Sequence, residues 1–223
     1  MKHTDKEMQA LKEEVSQMWK LVLSQLEKAK QAFFNDDIEV AREVISREKR
    51  VDAFELKIDS DCENYIALYS PVAVDLRLTL SLIKISQTLE RIGDFAESIA
   101  RHVIDDDCTK IDPRLLEELQ LEQMFDILIV MLYDSFVALE SENTRISGKI
   151  LAKDEEVDVI YRNSIDILTA YLQDNQSFIR CGLKTFLLIR KLERIGDHCS
   201  NIVEEIVFYV DAKVLKHRVK EIK

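Results

Sequence analysis

The string LERIGD occupies Leu89–Asp94 and returns at Leu192–Asp197. The copies lie 103 residues apart in a chain of 223, so each half holds one. Ile99 and Ile202 continue the match at the same offset. Six identical residues at nearly half the chain length mark a duplicated structural unit. Each copy also sets a Glu and an Asp four residues apart, as Glu90/Asp94 and Glu193/Asp197.

The surrounding composition says what kind of unit is repeated. The chain has four Gly and two Pro, too few for the many turns of a sheet protein. A 47% hydrophobic content supplies a large core, and a 33% charged content suits amphipathic helices with solvated outer faces. Read at helical period, the chain gives six segments. The first spans about 5–34, with Leu11, Val15, Met18, Val22, Leu26, Ala29 and Phe33 on one stripe. Asn35-Asp36-Asp37 breaks it, and either Asp caps a second helix running to about Ala67. Ser70-Pro71 turns the chain into a third helix, over 72–104, with Pro71 suited to its first turn.

Asp105–Thr109 is a polar connector between the halves. Asp112-Pro113 opens a fourth helix that runs to about Ser141. Ser147-Gly148 marks the next turn, and a fifth helix follows over about 149–172. Ser177 is the expected cap of a sixth, ending near Val210. The predicted fold is all-α: two tandem, similar three-helix bundles, residues 1–108 and 109–223, six long antiparallel helices packed together. Trp19, Phe33 and Phe34 read as core or inter-half packing, and Met124–Leu132 as a buried helix face.

Charge and cysteine usage narrow the function. A net charge of −11 opposes nucleic-acid binding. The basic cluster Lys213, Lys216, His217, Arg218, Lys220 and Lys223 is expected to complement a helix C-terminus, with contact to a membrane or an acidic partner as the other reading. Cys62, Cys108, Cys181 and Cys199 show no CxxC spacing, and no secretory signal is visible, which points to a reducing, cytoplasmic setting. No apolar run is long enough to span a bilayer.

The acid pairs carry the chemistry. Four residues on a helix span about 400°, which puts both carboxylates on one face, one turn apart. Like charges so placed destabilise an isolated helix, so something must offset them. The preceding long helix of each half supplies a matching pair, Glu48/Asp52 and Asp154/Asp158. Antiparallel neighbours would bring four carboxylates together in each half. Four converging carboxylates need cations, either Arg and Lys or a hard metal ion such as Mg²⁺, Ca²⁺, Mn²⁺ or iron, with Zn²⁺ open as well. Gly93 and Gly196, half of the chain's glycines, sit mid-helix beside these acids, where Gly costs about 1 kcal/mol against Ala. They allow either close helix packing or room beside the carboxylates. Arg91 and Arg194 are expected to pair with nearby carboxylates. His102 and His217 are expected to be solvated; His198 follows Asp197 and is open as a ligand, but it points about 100° away from that neighbour.

The stretch Ser70–Asp94, SPVAVDLRLTLSLIKISQTLERIGD, and the stretch Leu192–Ile206, LERIGDHCSNIVEEI, resemble the PhoU family over nearly the whole chain. The resemblance implies two similar three-helix bundles. It implies metal ions, often in multinuclear clusters, on an acid-x-x-x-Asp signature that falls here on Glu48, Asp52, Glu90, Asp94, Asp154, Asp158, Glu193 and Asp197. Iron, zinc, manganese and magnesium are the candidates, since the metal differs among members. It further implies a non-enzymatic cytoplasmic regulator, commonly dimeric, that links a phosphate-specific ABC transporter ATPase to a sensor histidine kinase. Such a regulator damps phosphate-starvation signalling and limits phosphate uptake.

Departures from symmetry suggest unequal sites: Phe95 stands opposite His198, Ser98 opposite Asn201, and the shorter Asp154 where the signature often has Glu. Three other functions compete on the residues. A di-iron enzyme needs Glu-x-x-His, and none of the four His has a Glu three residues before it. A His phosphotransfer module leaves four acid pairs unexplained. A metal-free structural homodimer would leave the acids as solvated faces or pair them with Arg and Lys.

Overall fold

The computed structural model describes residues 3–105 and 111–214. The connector 106–110, with the expected domain boundary and Cys108, lies outside the described residues, as does the basic cluster beyond Lys213. Among the described residues there is no strand. The helices are α1 (His3–Asn35), α2 (Ile38–Tyr69), α3 (Ala73–Ile104), α4 (Pro113–Glu118), α5 (Leu121–Glu140), α6 (Ser147–Asp174) and α7 (Ile179–Asp211), with 3-10 turns at Thr144–Ile146 and Gln176–Phe178.

The α1 stripe behaves as its period demands: Leu11, Val15, Met18, Val22, Leu26 and Ala29 are buried, and Phe33 packs against the core. Asp37 caps α2 by accepting from Glu39 N and Val40 N. Asp112 caps α4 by accepting from Arg114 N, with Pro113 at the first helical position. Several local expectations need correction. The fourth helix is two helices, separated at Gln120, which adopts a left-handed backbone with φ 51°. Leu119 and Leu121 are both buried, yet on one continuous helix they would point about 200° apart; the break turns both inward. Pro71 lies in the turn before Val72, the N-cap of α3. Ser147 opens α6, and the preceding turn is capped by Asn143, which accepts from Arg145 N. The cap position of α7 is Phe178, without a side-chain cap bond, so Ser177 does not fill that role. His102 is half-buried rather than solvated, with its ring 6.2 Å from that of Phe33.

Helices α1–α3 form one bundle and α5–α7 the other, each helix antiparallel to its neighbour. The bundles meet along two seams, α3 on α7 and α1 on α5. At the second, buried Trp19 donates from Nε1 to the Leu132 carbonyl at 3.1 Å, and Phe34 meets Phe125 edge-on with centroids 5.9 Å apart. Met124, Phe125, Ile127, Leu128, Met131 and Leu132 are buried, as the apolar run predicts. At the first seam Lys191 donates to Ser98 Oγ at 2.6 Å, Lys184 to Asp105 at 2.7 Å and Lys84 to Glu205 at 3.1 Å. The order α2–α3–α7–α6 therefore makes one continuous layer, with α1 and α5 behind it.

The α3–α7 seam has internal symmetry. Phe95 and His198, equivalent positions of the two repeats, stack on each other with ring centroids 5.7 Å apart. A residue that touches its own equivalent lies on a two-fold axis. The duplicated units are thus related by an approximate two-fold through this ring pair.

Candidate functional site

Each repeat forms an acid-lined groove, between α2 and α3 in the first and between α6 and α7 in the second. The glycine of each LERIGD string explains how the grooves close. A Cβ built on Gly93 would stand 3.1 Å from Glu48 Oε1 and 3.2 Å from Oε2. On Gly196 it would stand 2.6 Å from Asp154 Oδ1. Each bare Cα therefore makes room for the carboxylate of the facing helix. The aspartate oxygen comes closer to its glycine than the glutamate oxygens do, although the side chain is one methylene shorter.

In the first groove Glu48 is only 6% exposed. Its Oε2 accepts from Gln25 Nε2 of α1 at 2.9 Å, while Oε1 is buried with no hydrogen-bond partner. Burial, together with Asp94, Asp52 and Glu97, pushes its carboxyl up to about 7, against the relief given by Gln25. Glu90 is also raised, by burial and then by Asp94, Glu55 and Asp52; Asp94 is raised by burial, Glu97 and Asp52. The four expected acids thus share one electrostatic neighbourhood.

The second groove repeats the plan. Asp154 Oδ2 accepts from Ser200 at 2.7 Å, and burial, with Asp197 and Asp158, raises its carboxyl to about 6. Glu193 is raised by burial and by Asp197, Asp158 and Asp154. Asp154, Asp158, Asp197 and Ser200 line an open cleft of about 870 Å³, with Arg162 and Arg194 among its other walls. Arg162 lies 3.7 Å from Asp158. Arg91 lowers Glu90 and Asp94, and Arg194 lowers Glu193, by charge acting through space rather than by the direct pairing expected of these arginines. Arg194 also lies over the Phe95 ring, 5.6 Å from its centroid. His198 is pushed down to about 4 by burial, Arg91 and Arg194, and its Nε2 is buried without a partner.

Sequence reading missed several contributors. Gln25 reaches Glu48 from a third helix, and no local spacing announces it. Glu55 and Glu97 each follow an expected Asp by three residues and so extend the first groove's acidic face by nearly one turn. Their equivalents at the repeat offsets are Tyr161 and Ser200. At those offsets the acidic faces of the repeats differ; the second groove has Glu155 and Glu204 among its walls instead. Ser200, likewise missed, bonds the acid that Gly196 accommodates.

An all-carboxylate donor set suits a hard cation, and an orphaned buried oxygen on Glu48 is a vacant acceptor. As they stand, however, no group of three or more His, Cys, Asp or Glu among the described residues is placed to hold a metal ion. Cation binding would have to draw the groove carboxylates inward. No described helix is long and apolar enough to cross a membrane.

Comparison with known proteins places this architecture. The PhoU domain model matches twice, at residues 15–103 and 121–206. The phosphate-specific transport system accessory protein PhoU of Escherichia coli K12 is 33% identical over 211 residues, 95% of this chain and 86% of the relative. The homolog from Aquifex aeolicus is 33% identical over 213 residues, 96% and 95% of the two chains. The crystal structure of PhoU from Pseudomonas aeruginosa superposes with a TM-score of 0.87 at 27% identity, over 94% of this chain and 99% of that one. The phosphate transport system regulatory protein PhoU from Streptococcus pneumoniae gives 0.85 at 27% identity, over 96% and 100%. With both repeats matched and the whole two-bundle architecture shared, this chain belongs to the PhoU family of non-enzymatic phosphate-transport accessory and regulatory proteins.

Proposed function

We propose that the chain is a cytoplasmic negative regulator of phosphate uptake and phosphate-starvation signalling. It acts by contact with a phosphate transporter ATPase and a sensor histidine kinase, as a homodimer. The observation that carries this reading is the match of both repeats to the family, over nearly the full length of relatives named as phosphate-transport accessory proteins. The functional test is a phosphate-starvation reporter in a host whose own copy is deleted. Expression of this chain should restore repression at high phosphate; a reporter that stays on with the chain stably expressed would contradict the reading.

The same reading assigns the two grooves to cations such as iron, manganese, zinc or magnesium. The groove residues are Glu48, Asp52, Glu90 and Asp94 in the first repeat and Asp154, Asp158, Glu193 and Asp197 in the second. What supports this is the raised carboxyls in both grooves and the unpartnered Glu48 oxygen. A cation would supply the charge that lets the carboxylates ionise together. The chain's part is to hold them at the groove walls, with Gly93 and Gly196 opening the space.

A further inference from the structure

The chain is acidic overall, yet the first half of α7 is not. Residues 179–192 contain Arg180, Lys184, Arg190 and Lys191 and no Asp or Glu. At 100° per residue, Ile179, Arg190, Leu183, Arg194, Leu187 and Arg180 fall within an arc of about 100°, over a length of about 22 Å. This arc lies opposite the buried positions Cys181, Thr185, Leu188, Ile189 and Leu192. Ile179, Leu183 and Leu187 are 47%, 58% and 53% exposed, and the arginines are exposed with them. Three large aliphatic side chains interleaved with three guanidinium groups on one open stripe is an unusual surface for an acidic protein. Polar helix faces normally bear mixed charges.

We propose that this stripe is a docking surface for an acidic amphipathic helix of a protein partner. The inference rests on the regulatory reading above and names the kind of segment one of its partners would present. Such a helix would set apolar side chains at i, i+3 or i+4 and i+7 against Ile179, Leu183 and Leu187, with carboxylates alongside to meet Arg180 and Arg190, on the part of the stripe away from Asp197 and Glu204. Charge complementarity selects the acidic occupant. The width of the stripe selects a helix over an anionic lipid surface. A bilayer is broad, and it would also press against the acidic second half of the same face, where Asp197 and Glu204 follow, and against Asp94 on α3. A single helix about 10 Å across avoids these groups.

The probe is a synthetic helical peptide with leucines at those spacings and glutamates beside them, titrated against the full chain. Control probes are the same peptide with lysines for glutamates, and vesicles of phosphatidylglycerol in phosphatidylcholine. The acidic peptide should bind, weaken with added salt, and lose about tenfold or more in affinity on Leu183→Ser/Leu187→Ser and on Arg190→Glu. The variants should keep the parent's helical content and melting temperature, since they alter exposed positions. No binding of the acidic peptide, equal binding of the lysine peptide, or indifference to the substitutions would overturn the proposal. So would vesicle binding that the same substitutions abolish. The reporter strain separates the two layers of the argument. If the parent chain restores repression and Leu183→Ser/Leu187→Ser/Arg190→Glu restores it equally, the docking surface is wrong and the regulatory reading stands. If the parent itself fails, the regulatory reading is what falls.

Discussion

Gly196 is the residue where sequence and site are tied most tightly. Adding a methyl there gains up to about 1 kcal/mol of helix propensity but drives a carbon into Asp154 Oδ1 at 2.6 Å. Asp154 is short and already held by Ser200, so the conflict falls on the seat of the carboxylate. Gly196→Ala should therefore destabilise the chain by about 1–2 kcal/mol in denaturant melts. Gly196→Ala/Asp154→Ala should recover that loss; a double variant no more stable than the single would show that the glycine serves something other than the carboxylate. Glu48 supplies a second test. Its carboxyl is raised from the ordinary value to about 7, so the folded state favours the protonated form. The associated stability is fully present below about pH 4.5 and disappears as pH rises through about 7. In chelator, Glu48→Gln should thus gain stability over the parent between pH 5 and pH 8, on the order of 2 kcal/mol at the upper end. Asp154 acts in the same direction and His198 in the opposite one, so the difference between variant and parent is the quantity to read. A constant difference across that range would contradict the assignment.

The long helices were legible because each buries a stripe whose period is visible in the sequence. Their ends at Asp37 and Asp112 were legible because those aspartates are caps with open backbone donors ahead of them. The break at Gln120 was not. The surrounding sequence carries no Gly, Pro or Asn to announce it, and the break is imposed by a tertiary demand, the burial of both Leu119 and Leu121. The backbone at Gln120 is left-handed and its side chain exposed, so the local cost is that of a non-glycine residue at positive φ. Gln120→Gly should raise stability by about 0.5 kcal/mol, whereas Gln120→Val should lower it by about 1 kcal/mol or more. Thermal melts of the pair would decide; equal effects of the two would mean that the turn is not held in this conformation. The grooves belong to the same scale. The acid pairs were readable from spacing, but Gln25 was not, because only the packing of α1 against α2 brings it to Glu48.

At the scale of the whole molecule the duplication does more than repeat a fold. It places Phe95 against its own equivalent, His198, and so sets the two grooves on either side of an approximate two-fold. The repeat was visible as LERIGD, and the bundles follow from it; the way the bundles face each other was not, since the sequence gives no partner for either ring. Nor did the sequence signature show that the grooves differ. The first adds Glu55 and Glu97, while the second has Tyr161 and Ser200 in their places. The second instead has Glu155 and Glu204 among its walls, so each groove carries acids beyond the shared four, in different places. The central claim, that both grooves are built to be neutralised by cations, is tested most directly by metal analysis of protein purified without chelator or metal resin. The parent would be compared with Glu90→Gln/Asp94→Asn, with Glu193→Gln/Asp197→Asn and with all four substitutions together. The account predicts bound metal in the parent, partial loss in each groove variant, and none in the combined variant. Metal-free parent protein with no thermal shift on adding iron, manganese, zinc or magnesium would contradict it.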